Sequence, residues 1–177
     1  MSWTIQPLPL NGPLFDGAVR VYGDAFAEPP YLDPDRGAEV RDRLRTTHCR
    51  RRSFRALAAV DGPADVVGMA YGYHGEKGQF WHDTVARRIG REGEAAWLDD
   101  AYELVEIAVA PGRQGEGIGS ALIENLLDGL PETACVLSTR TDSVAHRLYR
   151  RLGFEVIVEM LFSPGGEPFY VMGKRLQ

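Results

Sequence analysis

Apolar positions along the chain recur at two different spacings, and the places where one gives way to the other mark out its elements. Trp3–Pro7 reads as a first strand. Phe15, Val19, Tyr22 and Phe26 then fall near one face at helical spacing, which predicts a helix over residues 16–26, broken by Glu28-Pro-Pro-Tyr31. Asp33-Pro34 offers a capping carboxylate followed by proline at the first helical position, so a second helix is expected to run to about Thr47. Residues 54–60 and 66–73 are strand-like and are joined by Asp61-Gly62-Pro63, a hairpin-type connection. A short β-branched run over 104–109 follows and is closed by Pro111, which has no N–H to extend a ladder. Ile118, Leu122, Ile123, Leu126, Leu127 and Leu130 next return to helical spacing, stopped by Gly129 and Pro131. Residues 134–138 predict a strand, 142–152 a helix capped by Gly153, and 154–160 and 168–174 two closing strands. The pattern predicts a mixed α/β chain of α+β type, its central sheet mostly antiparallel with helices on both faces.

Between Tyr73 and the strand at 104 lies a longer connection than a hairpin needs. Residues 74–100 are read as an insertion, with Asp83 expected to cap a short helix running to about Ile89. Its Trp81, together with Trp97, is expected either to pack as satellite core or to wall a pocket.

The densest chemistry sits between the strand at 104–109 and the helix from 118, in Val109-Ala-Pro-Gly-Arg-Gln-Gly-Glu-Gly-Ile-Gly-Ser120. Gly115, Gly117 and Gly119 leave backbone uncovered where a helix begins, so unpaired N–H groups and the positive end of the helix dipole can face an anion. A P-loop would need Gly-Lys-Ser/Thr where Gly117-Ile118-Gly119 stands, so no lysine reaches a phosphate. The dinucleotide fingerprint fails too, because Ser120 occupies the position of its third glycine. A pyrophosphate remains the expected ligand.

Gln114-x-x-Gly117-x-Gly119, opening a helix after a strand-terminal valine, resembles the acetyl-CoA motif of the GCN5-related N-acetyltransferase (GNAT) superfamily. A second match lies in Asp142-Ser-Val-Ala145-His-Arg-Leu148-Tyr149-Arg-Arg-Leu-Gly153-Phe154, which is similar to that family's Asn-x-x-Ala-x-x-Leu-Tyr-x-x-x-Gly-Phe signature, with Asp142 in place of the usual asparagine. Together the two motifs cover residues 102–160. The resemblance implies a GNAT-type sheet of six to seven strands, a single N-acetyltransferase domain over 1–177, and acetyl-CoA as donor for a primary amine of a small molecule or peptide. It places the donor against Ile107, Val109, Gln114, Gly115, Gly117, Ile118, Gly119, Ser120, Asp142 and Ala145. The pantetheine arm is expected beside Ile107 and Val109, with a backbone N–H, that of Val109, aimed at the thioester carbonyl.

Acyl transfer also needs a base for the amine and an acid for the leaving thiolate. Alternation along the strand sets Glu103, Val105, Ile107 and Val109 on one face and Leu104, Glu106 and Ala108 on the other. Glu103 therefore falls on the pantetheine side and is the expected base, with Glu106 in reserve. Tyr149 holds the signature tyrosine and is the expected acid, since a phenol of pKa about 10 lies close to a thiol of about 8.5. A non-catalytic acyl-CoA sensor with the same cradle is the alternative.

Composition narrows the remaining classes. At 177 residues the chain can bury a core without disulfides or metals, and no apolar run is long enough for a bilayer. Met1-Ser-Trp-Thr-Ile-Gln-Pro7 shows no basic n-region or apolar h-region, which predicts a cytoplasmic protein. A net charge of −5 argues against nucleic acid as a partner, although arginines cluster at Arg41, Arg43, Arg45, Arg50, Arg51, Arg52 and Arg55. Cys49 and Cys135 form no metal spacing with His48, His74, His82 or His146, so no metal is expected and Cys135 is read as a buried strand residue. The acceptor is expected to meet residues 27–33, the 74–100 insertion and the C-terminal hairpin, and the family makes a homodimer a candidate assembly.

Overall fold

The computed structural model describes residues 2–176. Seven strands, β1 (Trp3–Pro7), β2 (Arg55–Asp61), β3 (Asp65–His74), β4 (Ala101–Val109), β5 (Ala134–Arg140), β6 (Glu155–Leu161) and β7 (Pro168–Arg175), form one sheet in the order β1-β2-β3-β4-β5-β7-β6. Strands β4 and β5 pair in parallel, Ala101 to Glu103 opposite Ala134 to Val136, and the pairs β1/β2, β2/β3, β5/β7 and β6/β7 are antiparallel. Five helices accompany them: α1 (Gly12–Ala27), α2 (Arg36–Thr46), α3 (Phe80–Gly90), α4 (Ile118–Leu127) and α5 (Ala145–Arg151). The chain divides into two compact units, residues 1–73 with 105–130 and residues 74–104 with 131–177.

In the first unit, α1 and α2 cover a core of Phe15, Tyr22, Val40, Leu44, Met69 and Tyr71. The two helices approach closely because Gly23 and Gly37 face one another: a Cβ on Gly23 would lie 3.6 Å from the Gly37 Cα. Strand β3 carries an irregularity that strict alternation does not foresee. Ala59 pairs with Gly68 and Val60 with Val66, so Val67 is an extra residue and side-chain parity shifts across it. Val66 and Met69, Tyr71 and Tyr73 consequently share the core with α1 and α2. Gly68 instead meets α4, where a Cβ would lie 2.8 Å from Ile118 Cγ2 and 3.1 Å from Leu122 Cδ1. The apolar stripe of α4, Ile118, Leu122, Ile123 and Leu126, is buried as its spacing predicts. Arg55 donates from Nη1 to the carbonyls of Leu126 and Asp128, at 3.1 and 2.6 Å, satisfying acceptors that the end of α4 leaves open.

The second unit has its own core of Val85, Ile89, Trp97, Leu98, Val136 and Val171. Trp97 lies flat on β7: a Cβ on Gly173 would come within 2.7 Å of two of its ring atoms, and the Arg175 guanidinium sits 3.9 Å from the ring centroid. Trp97 is therefore core, whereas Trp81 is half-buried and donates its indole N–H to Ser138 Oγ at 2.9 Å.

Two helix starts differ from expectation for the same reason. Asp33 does not cap α2; its Oδ1 accepts the Asp35 N–H at 3.2 Å in a local turn, and the helix begins at Arg36. Asp83 does not cap α3 either, because the helix starts at Phe80 and Asp83 reaches back to take the Gly78 N–H on both oxygens, at 3.1 Å each. In both places a carboxylate satisfies backbone beside the helix start rather than at it. The first helix also begins earlier than expected, at Gly12, with Pro13 in its first turn, where a missing N–H costs nothing.

Candidate functional site

The first unit holds the glycine-rich turn. Strand β4 ends at Val109, and the Ala110 N–H donates to Val67 O at 2.9 Å, tying the turn's entry to β3 at the irregularity. Gly115 and Gly117 both have φ of +85°, and a Cβ on either would meet nothing within 4 Å. Glycine is required there by backbone conformation, and the space beside it is open. Gly117 caps α4, whose first turn carries no acidic residue, so the N–H groups of Ile118, Gly119 and Ser120 meet no compensating charge from their own turn. The arrangement suits a pyrophosphate.

Side chains already brace this turn. Gln114 Oε1 accepts the Gly112 N–H at 2.8 Å, closing the turn on itself. Arg113 donates to both oxygens of Glu116, at 2.6 and 2.8 Å, and to Asp61 Oδ2 at 3.1 Å. Asp61 also accepts from Ser2 Oγ at 3.0 Å. The Ser2 hydroxyl first, and Arg113 after it, hold the Asp61 carboxyl below its ordinary range, and Arg113 does the same for Glu116. Nothing in the sequence shows that Arg113 and Asp61 meet: they lie 52 residues apart, and only the Arg113 to Glu116 spacing is a local signal.

Glu106 lies beside Ile107 on β4, in the same unit, at the centre of a charged cluster. Its Oε1 is 3.6 Å from Arg36 Nη2 and 3.5 Å from Arg43 Nη2, and the carboxylate accepts from the Tyr22 hydroxyl. That hydroxyl accepts in turn from Arg36 Nε at 3.2 Å. Burial raises the Glu106 carboxyl, opposed by the two guanidiniums. The Arg36 guanidinium also stacks 4.1 Å from the Phe26 ring centroid and 5.5 Å from that of Tyr31.

The second unit holds the other expected residues. Glu103, only three residues before Glu106, belongs to this unit; it is 4% exposed and pairs with Val136 of β5. Tyr149 is buried on α5 and meets Phe154 edge-on, their centroids 5.9 Å apart. Asp142 is gripped by Arg140 through two bonds of 2.9 and 2.7 Å, which lower its carboxyl, and Ala145 donates its N–H to Ser143 Oγ at 3.2 Å. Arg140 had no signal in the motif reading. His74 Nδ1 and Glu132 Oε1 form a buried pair at 3.1 Å that their separation of 58 residues hides from sequence reading. Cys135 is buried, and burial pushes its thiol up. Among the described residues no group of three or more His, Cys, Asp or Glu could hold a metal, and no helix is long and apolar enough to cross a membrane.

Comparison with known proteins bears on this arrangement. A family model described as "Acetyltransferase (GNAT) domain" matches residues 61–156. The "GCN5-like protein acetyltransferase Rv2170" of Mycobacterium tuberculosis is 34% identical over 191 residues, spanning 90% of each chain. Among solved structures, a "histone acetyltransferase HPA2 and related acetyltransferase" from Corynebacterium glutamicum is 25% identical with a TM-score of 0.67, covering 100% of this chain and 98% of its own. An aminoglycoside 6'-N-acetyltransferase complexed with coenzyme A shares the fold at a TM-score of 0.64 and 17% identity, covering 97% of this chain and 96% of its own.

Proposed function

Since the chain belongs to the GNAT acetyltransferase family, we propose that it transfers an acetyl group directly from acetyl-CoA to a primary amine of a small molecule or peptide. The observation that carries this reading is the turn from Gln114 to Ser120: open glycines at positive φ, a helix N-terminus free of acidic residues, and side-chain bracing of the loop. Because the M. tuberculosis relative is named a protein acetyltransferase, a peptide-borne amine is the favoured acceptor. The aminoglycoside enzyme is too distant in sequence to argue for its substrate.

In this reading the pyrophosphate of the donor takes the N–H groups of Gly115, Gly117, Ile118, Gly119 and Ser120, and the pantetheine arm pairs with backbone at Ile107 and Val109. Gln114 keeps the turn closed. Asp142 and Ala145 complete the donor contacts, the Asp142 charge being balanced by Arg140. The amine attacks the thioester carbonyl; an N–C bond forms, the C–S bond breaks, and the Val109 N–H stabilises the oxyanion between. Glu103 removes the amine proton and Tyr149 returns one to the thiolate. Glu106 is the second candidate for base, favoured by the burial that raises its carboxyl.

Thiol release from acetyl-CoA, measured across a panel of amines alongside mass detection of the acetylated product, tests the reading. Release that depends on an amine is expected. Retained CoA binding with no release for any amine would make the chain a sensor and overturn it.

A further inference from the structure

The cluster around Glu106 has more positive charge and more donors than its carboxylate consumes. Arg36 and Arg43 share the single oxygen Oε1, at 3.6 and 3.5 Å, both longer than a good N–H···O bond. Each guanidinium has five N–H donors and stays charged at any working pH. Among the described residues Arg36 Nε donates to the Tyr22 hydroxyl, and the buried Nε of Arg43 finds no acceptor. Two guanidiniums against one carboxylate leave one unbalanced positive charge. The two side chains are 25% and 39% exposed, so this charge is neither sealed in the core nor free in solvent.

Phe26 and Tyr31 flank the Arg36 guanidinium, 4.1 and 5.5 Å from their ring centroids. Nearby, Arg51 lies 4.4 Å from the Tyr73 ring centroid, and His48 bonds the Tyr71 hydroxyl at 3.0 Å. Burial first, then Arg51 and Arg43, depress His48 to a pKa of about 4. A planar, partly desolvated pair of guanidinium forks with donors to spare is matched by a carboxylate. Glu106 adjoins Ile107 along β4, where the proposed function puts the pantetheine arm on backbone, and its side chain is turned to Arg36 and Arg43 of α2 on the opposite face.

We propose that Arg36 and Arg43 bind a carboxylate carried by the acceptor, so that the amine acetylated by this protein is one flanked by an acidic group. The inference rests on the acetyl-transfer reading above. The carboxylate has two sources, an Asp or Glu side chain next to a peptide amine or the α-carboxylate of a free amino acid.

The test uses the full chain and acetyl-CoA with one lysine peptide in three versions, flanked by Asp/Glu, by Ala/Gln or by Arg, together with free lysine and lysine amide. Acidic flanks are expected to raise kcat/KM at least tenfold over neutral ones. A preference for free lysine over its amide would identify the α-carboxylate as the source. R43Q should abolish the preference through KM, and R43K, which keeps the charge and loses the fork, should retain part of it. Equal turnover of acidic and neutral peptides, or a preference that survives R43Q, overturns the inference while leaving the acetyltransferase reading intact. If no amine releases thiol, that reading fails instead, and calorimetric titration with the acidic peptide decides this one: heat lost in R43Q supports the carboxylate site, and no heat with the unmodified protein refutes it.

Discussion

Tyr149 packs edge-on to Phe154 with 5% of its surface exposed, so the ring is fixed by packing as well as by anything its hydroxyl does. Removing only the hydroxyl therefore separates chemistry from structure. Tyr149→Phe should lower kcat about 100-fold or more, the scale of lost proton transfer, while CoA titration stays nearly unchanged; undiminished turnover would take Tyr149 out of the mechanism. The two glutamates of β4 are distinguished in the same way. Glu103→Gln should flatten the acidic limb of the kcat/KM profile, whereas a limb that survives in Glu103→Gln and vanishes in Glu106→Gln would move the base to Glu106. Arg113 touches Glu116 and Asp61, so under the proposed function its effect on the donor passes through the loop. Arg113→Gln should raise the KM for acetyl-CoA about three- to tenfold with kcat held; a fall in kcat at constant KM would contradict a positioning role.

Glycines in this chain act in opposite ways on their elements, and stability measurements should separate them. Gly173 of β7 is required by crowding, since a Cβ would meet two Trp97 ring atoms at 2.7 Å and Ile157 Cδ1 at 2.8 Å. Gly173→Ala should cost about 1–3 kcal/mol in denaturant unfolding, the usual penalty of overpacking, and a cost near zero would show that Trp97 yields easily. Gly117, at the head of α4, has φ of +85° and open space around it. Gly117→Ala should cost only about 1 kcal/mol of stability yet abolish CoA binding, because the loss falls on the ligand's approach. Sequence pattern located six strands to within a residue at their start, since alternation is a local signal, whereas β4 begins at Ala101, three residues before the β-branched run that marks it. Helix starts at Arg36 and Phe80 were displaced because Asp33 and Asp83 are capping residues by type and local turn acceptors by geometry. The extra residue Val67 left no mark in composition, and only its pairing with β2 reveals it.

Across the whole chain, the fold family and the glycine-rich turn were readable because their residues are contiguous: strand, glycines and helix follow one another from Val105 to Leu127. The bracing of Arg113 by Asp61, the pairing of His74 with Glu132 and the meeting of Arg36, Arg43 and Glu106 join distant segments, and nothing local announces them. Net charge misleads for the same reason: −5 overall coexists with a local surplus of arginine around Glu106. Acid sensitivity should follow from groups whose folded pKa is depressed. His48 falls from 6.5 to about 4 on folding, so below pH 6.5 the unfolded chain binds a proton that the native state refuses, and the stability it contributes drains away toward pH 4. Asp61, Glu116 and Asp142, lowered by their hydrogen-bonding partners, act in the same direction at lower pH. Tm should drop between about pH 6.5 and 4, and His48→Gln should flatten that drop; an equally steep curve would assign the loss to other groups. The bond from Gly112 to Gln114, with the Arg113 strap, carries a thermodynamic consequence. A loop whose shape is set by its own side chains needs little ordering to receive a nucleotide, so under the proposed function its association should be that of a preformed receptor, with little entropy lost by the polypeptide.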